Sequence, residues 1–453
     1  MKVVIAGAGI SGLATAFWLK KAGAEVIILE KREQVGGSMR TLTENGYLID
    51  FGPNSALETT PLIKEIVDEV GLTAEMMYAD AKASKRYILK NGELMPLPMS
   101  PPAFLKTRLF STAAKIRLMK EPFIGKSDDG YYQSIARFVV RRLGQEFLDY
   151  AISPFVSGVF AGDPDRLSVK SAFPKLYRLE ELYGGLIKGT IKGARERKKN
   201  KEKSKQSAKM FSFRRGMTSF PEAIASHLGT GVVCGAEITG VERSDRQIKV
   251  TFRTDKGVQE ILADKFLSTM PAKQTAALLE NIDVMLPKHL NEIYYPPVKV
   301  LYLGYKTSDI PRPLDGFGFL IPAKEKRIFL GAIWSSVLFP NRAPEGKACF
   351  TLFVGGATKP HLFEMPDNDL NREVISQFSE IMGITAEPDL IKELYWEKAI
   401  PQYNLGYIEH ENYFERFEVN NPGFYLGGNY RGGISVGDCV KNSKPLAEKI
   451  LQN

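Results

Sequence analysis

Gly7, Gly9 and Gly12 follow the apolar run Val3–Ala6 in the spacing G-x-G-x-x-G. They open a segment in which Ala14, Phe17, Trp18 and Leu19 recur at helical spacing, and Gly23 closes it. In such a turn the first glycine permits the sharp bend, the second lets backbone approach a pyrophosphate, and the third lets helix and strand pack closely. The free N–H groups and dipole of a helix N-terminus favour an anion there. A second apolar run, Glu25–Leu29, ends in Glu30, eighteen residues past Gly12. A carboxylate at that place accepts a hydrogen bond from a ribose 2′-hydroxyl and repels a 2′-phosphate. Strand, turn, helix, strand and acid stand in register, the context that turns a weak motif into a dinucleotide site. The spacing leaves NAD and FAD open and disfavours NADP.

The next residues bear on that choice. Gly36-Gly37 follows the acid, Asn45-Gly46 reads as a hairpin turn, and Gly52-Pro53-Asn54-Ser55 comes after it. A nicotinamide dehydrogenase would continue with further β-α-β units. A return to glycines suits FAD, whose extended ribityl chain needs a second stretch of closely approaching backbone. Near the C-terminus, strand Phe424–Leu426 leads into a glycine-rich turn, Gly433-Ile434-Ser435-Val436-Gly437, and a terminal helix. A helix N-terminus at the pyrimidine edge of a flavin would stabilise negative charge on the reduced ring. The same five residues satisfy G-x-S-x-G, but a hydrolase of that pattern needs an Asp and then a His after its serine. No histidine follows His410.

The elements that must position these residues form an α/β chain. At 453 residues it is too long for one core, and two or three domains are expected. A Rossmann-type FAD-binding domain is expected from residues 1–84, 211–275 and 396–453. A substrate-covering domain built on a second sheet is expected from 85–98 and 276–395, with Lys299–Tyr305, Arg327–Trp334 and Cys349–Val354 as strands. A helical insertion over 99–210 includes a helix over Tyr131–Tyr150, with Ile135, Phe138, Val139, Leu143, Phe147 and Leu148 on one face. It ends in a basic tract, 188–209, with ten Lys/Arg against Glu196 and Glu202. That tract carries +8 of the net +9, so the rest of the chain is nearly neutral. A flexible solvated loop is the expectation there, with an anionic membrane as the alternative partner and no nucleic-acid binding. Cys234, Cys349 and Cys439 and the four histidines are scattered, so neither a disulfide framework nor a metal site is expected. A chain that begins with a strand and has no apolar run of membrane-spanning length reads as cytoplasmic. Monomer and homodimer stay open.

Six separated stretches resemble the FAD-dependent protoporphyrinogen/coproporphyrinogen oxidases of the flavin amine oxidase superfamily. They are the N-terminal glycine fingerprint, KRYILKNGELMPLP (85–98), SGVFAGDPDRLSVKSAFP (157–174), DGFGFLIP (315–322), IPQYNLGY (400–407) and GGNYRGGISVGDC (427–439). The resemblance implies non-covalent FAD in a discontinuous domain, a substrate domain built on a mainly antiparallel sheet, a porphyrinogen substrate, molecular oxygen as acceptor, and a helical region that contacts the membrane peripherally, on its inner face. It places FAD contacts at Gly7, Ala8, Gly9, Ile10, Ser11, Gly12, Glu30, Lys31, Gly37, Ser38, Gly52, Pro53, Asn54, Ser55, Ile238, Trp396, Ile434, Ser435 and Val436. It places the porphyrinogen pocket at Arg86, Gly158, Phe317, Leu320 and Phe353. Aromatic and aliphatic side chains would face pyrroles, and Arg86 would pair with a propionate. Flavin carries the redox chemistry, so no acid–base side chain is assigned. Arg86 favours protoporphyrinogen IX over coproporphyrinogen III. An amine oxidase or carotenoid desaturase would share the FAD motifs. A non-catalytic FAD-fold protein that binds membrane or nucleic acid through the basic tract is the reading from another class. Gln34 stands where the superfamily usually carries Arg, Ser38 where it carries Arg or Lys, and Arg431 where an acid is common.

Overall fold

The structure, a computed structural model, describes residues 1–199 and 208–452. Strand Lys2–Ala6 lies in the middle of a five-stranded, wholly parallel sheet. The strand order is Val232–Val233, Glu25–Leu29, Lys2–Ala6, Lys265–Ser268 and Phe424–Leu426. Both faces of the central strand are covered, which explains its unbroken apolar run. Val3 and Ile5 pack among helices Ile10–Lys21 and Val436–Gln452. Val4 and Ala6 pack toward Val250 and Phe252 of a three-stranded antiparallel layer, Glu237–Ser244, Gln247–Thr254 and Gly257–Ala263. Asn45 and Gly46 both take positive φ, 51° and 79°, in the tight hairpin between Thr41–Glu44 and Tyr47–Asp50.

A seven-stranded sheet stands beside it, in the order Leu390–Trp396, Val298–Lys306, Lys347–Gly355, Phe329–Ile333, Gly316–Leu320, Lys85–Lys90 and Glu93–Pro96. All pairs are antiparallel except Gly316–Leu320 with Lys85–Lys90. The three expected strands are all present in it. One face packs on helix Asp367–Met382, through Phe319, Phe350 and Phe378. The other meets helix Ser153–Phe160.

Two expectations for the helical region need correction. The apolar face of 131–150 is buried as anticipated, but the helix is broken into Ile135–Arg142 and Gln145–Phe147, continued by a wider turn over Leu148–Ile152. Gly144, at φ +96°, cannot continue the first helix and caps the second. The basic tract is also not a loop throughout. Residues 188–199 continue a helix, Leu186–Lys199, while 200–207 lie outside the described residues. The carboxylate of Glu121 accepts from the amides of Leu186 (2.7 Å) and Ile187 (3.1 Å), satisfying donors at that helix start. Glu121 is itself held by the fully buried Arg142, which also donates to Glu180 at 2.5 Å.

Candidate functional site

At the C-terminal ends of the parallel strands the glycines behave as three different devices. A Cβ on Gly12 would lie 2.2 Å from the carbonyl oxygen of Gly7, so this glycine is imposed by helix–strand contact. A Cβ on Gly9 would meet nothing within 4 Å, so the space in front of the helix N-terminus is open there. Gly7 has φ +98°, which makes the turn between them. The second glycine stretch folds onto the first. Gly36 bridges to Gly9, and a Cβ on Gly37 would sit 3.3 Å from the Cα of Gly9. A Cβ on Gly52 would lie 1.9 Å from the carbonyl oxygen of Ser38. Ala8, Ile10 and Ser11 complete the first turn, with Ala8 and Ile10 buried and Ser11 partly open.

Glu30 ends its strand half-buried, accepting from the amides of Ala8 (2.8 Å) and Arg32 (3.0 Å). Lys31 is exposed and paired with Glu237 at 2.7 Å, beside the half-buried Ile238 on the same strand. Ser38 is exposed, and Pro53, Asn54 and Ser55 are half-buried. Asn54 donates to the carbonyls of Asp50 (2.9 Å) and Gly52 (3.1 Å), which fixes this turn. Trp396 closes on the same place, its indole N–H donating to the carbonyl of Phe51 at 3.1 Å. Ile434, Ser435 and Val436 start the C-terminal helix. The hydroxyl of Ser435 accepts from the amide of Asp438 at 3.1 Å, as a helix cap rather than a nucleophile. Cys439, one turn into that helix, lies against Ser11. The cradle therefore fits an extended dinucleotide. It offers an open helix N-terminus over Gly9, a carboxylate at the ribose position, and a second backbone stretch for the chain beyond.

The five substrate-pocket candidates lie on or against one face of the seven-stranded sheet. Directly paired residues share a face of a sheet, as do alternate residues of a strand. Leu320 pairs with Gly331, Gly331 with Phe353, Phe353 with Val300, and Val300 with Leu394. Trp396 lies two residues beyond Leu394, and Arg86 two residues before Ile88, the partner of Leu320. One face thus runs from Trp396 at the cofactor cradle through Phe353 and Leu320 to Arg86. Phe317 joins it by an irregularity. The pairing slips between Gly316 and Gly318, and this bulge turns Phe317 toward Arg86, whose guanidinium stands 5.6 Å from the ring centre. Gly158 is exposed on helix Ser153–Phe160, and a Cβ there would lie 2.7 Å from a methyl of Leu320.

Three further residues were not assigned a role from the sequence. Arg32 donates to the carbonyl of Gly37 at 2.9 Å. Arg40 stands 5.6 Å from the Trp396 ring, two positions beyond the Ser38 that departs from the superfamily pattern. Tyr403, in IPQYNLGY, donates to the carbonyl of Asn429 (2.7 Å) and accepts from the amide of Gly433 (2.9 Å), bracing the turn before Ile434. Burial pushes its phenol pKa up, so it remains a neutral donor. Arg431 also finds its reason. It pairs with the buried Glu418, which accepts the amide of Leu426, and it donates to the carbonyl of Leu426 at 3.1 Å.

Residues 10–451 match the family described as flavin containing amine oxidoreductase. The chain is 32% identical to protoporphyrinogen oxidase 2, chloroplastic/mitochondrial, of Arabidopsis thaliana, over 99% of this chain and 94% of that protein. It is 29% identical to coproporphyrinogen III oxidase of Bacillus subtilis (strain 168), over 99% and 97%. The fold is similar to a solved structure of a candidate protoporphyrinogen oxidase from Exiguobacterium sp. 255-15, with TM-score 0.82 and 23% identity, covering 100% of this chain and 99% of that one. These matches run through the cradle, the seven-stranded sheet and the helical region alike, and the chain belongs to the flavin-containing amine oxidoreductase family.

Proposed function

We propose that this protein oxidises a porphyrinogen to a porphyrin in haem biosynthesis, with FAD as cofactor, molecular oxygen as acceptor, and protoporphyrinogen IX preferred over coproporphyrinogen III. The observation that carries the reading is the continuous sheet face from Trp396, beside the FAD cradle, through Phe353 and Leu320 to Arg86 and Phe317. Relatives named for both reactions align with nearly the whole chain. The glycine cradle and Glu30 would hold FAD, which when bound would supply the hydride acceptor for a methylene bridge of the macrocycle and the route of its electrons to oxygen.

The chain's own residues bind, orient and exclude. Phe353, Leu320 and Phe317 present apolar surface to the pyrroles, and Gly158 keeps the facing helix free of a side chain. Arg86 holds a propionate, with its guanidinium oriented by the Phe317 ring. A guanidinium stays protonated at neutral pH, so Arg86 is a binding group and no base. Protoporphyrinogen carries vinyl groups where coproporphyrinogen carries further propionates. A wall that is apolar from Phe353 to Leu320, with its cation at one end, favours the less charged macrocycle.

The helical region supports peripheral contact with an anionic membrane. Met99, Leu105, Met119 and Phe123 are 68%, 69%, 72% and 89% exposed, with Lys106, Lys115 and Lys120 among them. No helix among the described residues is long and apolar enough to cross a membrane.

The test is porphyrin fluorescence during incubation of the flavin-loaded protein with each porphyrinogen. Turnover of protoporphyrinogen well above autoxidation is expected. A rate no faster than autoxidation with either compound overturns the reading, and faster turnover of coproporphyrinogen reverses the preference.

A further inference from the structure

The substrate wall uses one face of the seven-stranded sheet, and at the same edge the opposite face holds a separate cavity. Tyr87, adjacent to Arg86 on its strand, points the other way, with its pairing partner Phe319. It lines a cavity of about 390 Å³ together with Trp334, Asp315, Met382, Arg312 and its flanking prolines. That volume is in the range of small-molecule sites.

The groups around it are committed to different degrees. Tyr87 stacks on Trp334, with ring centres 5.7 Å apart. The charge of Asp315 is already engaged, because Lys85 pairs with it and the Tyr87 hydroxyl donates to it at 2.7 Å. Arg312 has no carboxylate in ion-pair reach among the described residues. It sits between Pro311 and Pro313. The ring of Pro313 restricts Arg312 to extended backbone, so the guanidinium is presented from a stiff segment. Gly383 ends helix Asp367–Met382 at φ +72° and packs against the Pro311 ring, fixing this segment to the helix end that carries Met382. Trp334 is 1% exposed, yet its indole N–H has no acceptor. That nitrogen has no accessible surface, so the side chain backs the ring of Tyr87 and offers no donor to a ligand.

We infer that this cavity is a second ligand site, distinct from the porphyrinogen wall, for a small aromatic carboxylate. The ring of the ligand packs on Tyr87 and the proline rings beside Arg312, and its carboxylate accepts from the Arg312 guanidinium. The site does not depend on the porphyrinogen reading. It does touch the same strand connection, since the Trp334 amide donates to the carbonyl of Phe317 at 2.9 Å.

Calorimetric titration of the flavin-loaded protein with 1-naphthoate, and with 1-naphthamide as the uncharged isostere, tests the assignment. Saturable naphthoate binding is expected. Arg312→Gln should weaken it roughly tenfold, the size of a charge-assisted hydrogen bond, with little effect on the amide. Arg86→Ala should change neither ligand. The inference is overturned by no saturable heat at about 1 mM, by unchanged affinity in Arg312→Gln, or by loss in Arg86→Ala, which would move binding to the substrate wall.

Discussion

In the five-stranded sheet the groups proposed to meet the cofactor are mainly backbone, whereas in the seven-stranded sheet the groups proposed to meet the substrate are side chains. At Gly12 and Gly52 the chain comes so close to itself that single added carbons would collide with carbonyl oxygens at 2.2 and 1.9 Å. On the other sheet, Trp396, Phe353, Leu320 and Arg86 reach one face because strand register and a bulge at Phe317 put them there. The contrast concerns what can yield. The backbone at Gly12 and Gly52 tolerates no added volume, while a wall of side chains can be trimmed or crowded at modest cost. It also separates the readouts, with cofactor retention reporting the first sheet and Michaelis constants the second.

The largest effect should come from Gly12→Val. Its Cβ would stand 2.2 Å from the Gly7 carbonyl oxygen, which cannot withdraw without moving a strand end, and 2.7 Å from the Thr269 hydroxyl. Overpacking of this kind costs about 3 kcal/mol or more. Purified protein should carry no flavin absorbance and melt well below the parent. Retained flavin would end the claim that this cradle is rigid. Arg86→Ala comes next. Loss of one charge-assisted contact at an exposed position should raise KM roughly tenfold with kcat nearly unchanged and flavin fully retained. An unchanged KM would remove Arg86 from the substrate site.

Gly158→Ala sharpens the comparison because it adds the same methyl as an alanine in the cradle would. Its Cβ would meet the end of the Leu320 side chain at 2.7 Å, and that methyl can rotate away. Replacing a helical glycine also recovers about 0.5–1 kcal/mol of chain entropy, so stability should hardly change. The expected signature is a raised KM at unchanged melting temperature and flavin content. A loss of flavin here would erase the distinction between the two sheets.

The same contrast sets what was legible in the sequence. The cradle was legible because each of its demands is local. Continuous apolar strands, glycines at fixed spacing and an acid at a strand end leave marks within thirty residues of one another. The substrate strands were legible as apolar runs, but their shared face was not, since it depends on which residues pair across six strands. Nothing local says that Phe317 turns toward Arg86, because the bulge is a property of two strands at once. The helical region misled for a related reason. The apolar period of 131–150 is real, yet Gly144 at φ +96° breaks the helix without interrupting the pattern. The start of helix Leu186–Lys199 is fixed by Glu121, far away in sequence, so its charge alone suggested a loop. Arg40 against Trp396 and Tyr403 against Gly433 are likewise contacts between distant segments.

The smallest expected effect concerns acid. Asp315 joins the bulged strand start to its neighbour. Lys85 hydrogen-bonds its carboxylate, and the Tyr87 hydroxyl donates to it as well. The hydrogen bond from Lys85 is the main reason its pKa is held below the usual carboxylate value, with the bond from Tyr87 adding to it. A carboxyl whose folded pKa is depressed contributes stability that is present above its unfolded pKa, about 3.9. That contribution is lost as pH falls through the lower, folded value. Wild-type protein should therefore lose melting temperature between about pH 4 and the folded pKa more steeply than Asp315→Asn, which has nothing there to protonate. Because Asp315 anchors the strand carrying Phe317 to the strand carrying Arg86, the same acid range should raise KM in the wild type, while flavin stays bound in the backbone cradle. Parallel acid profiles in the two proteins would show that the edge of the substrate sheet is held by packing and not by this charge.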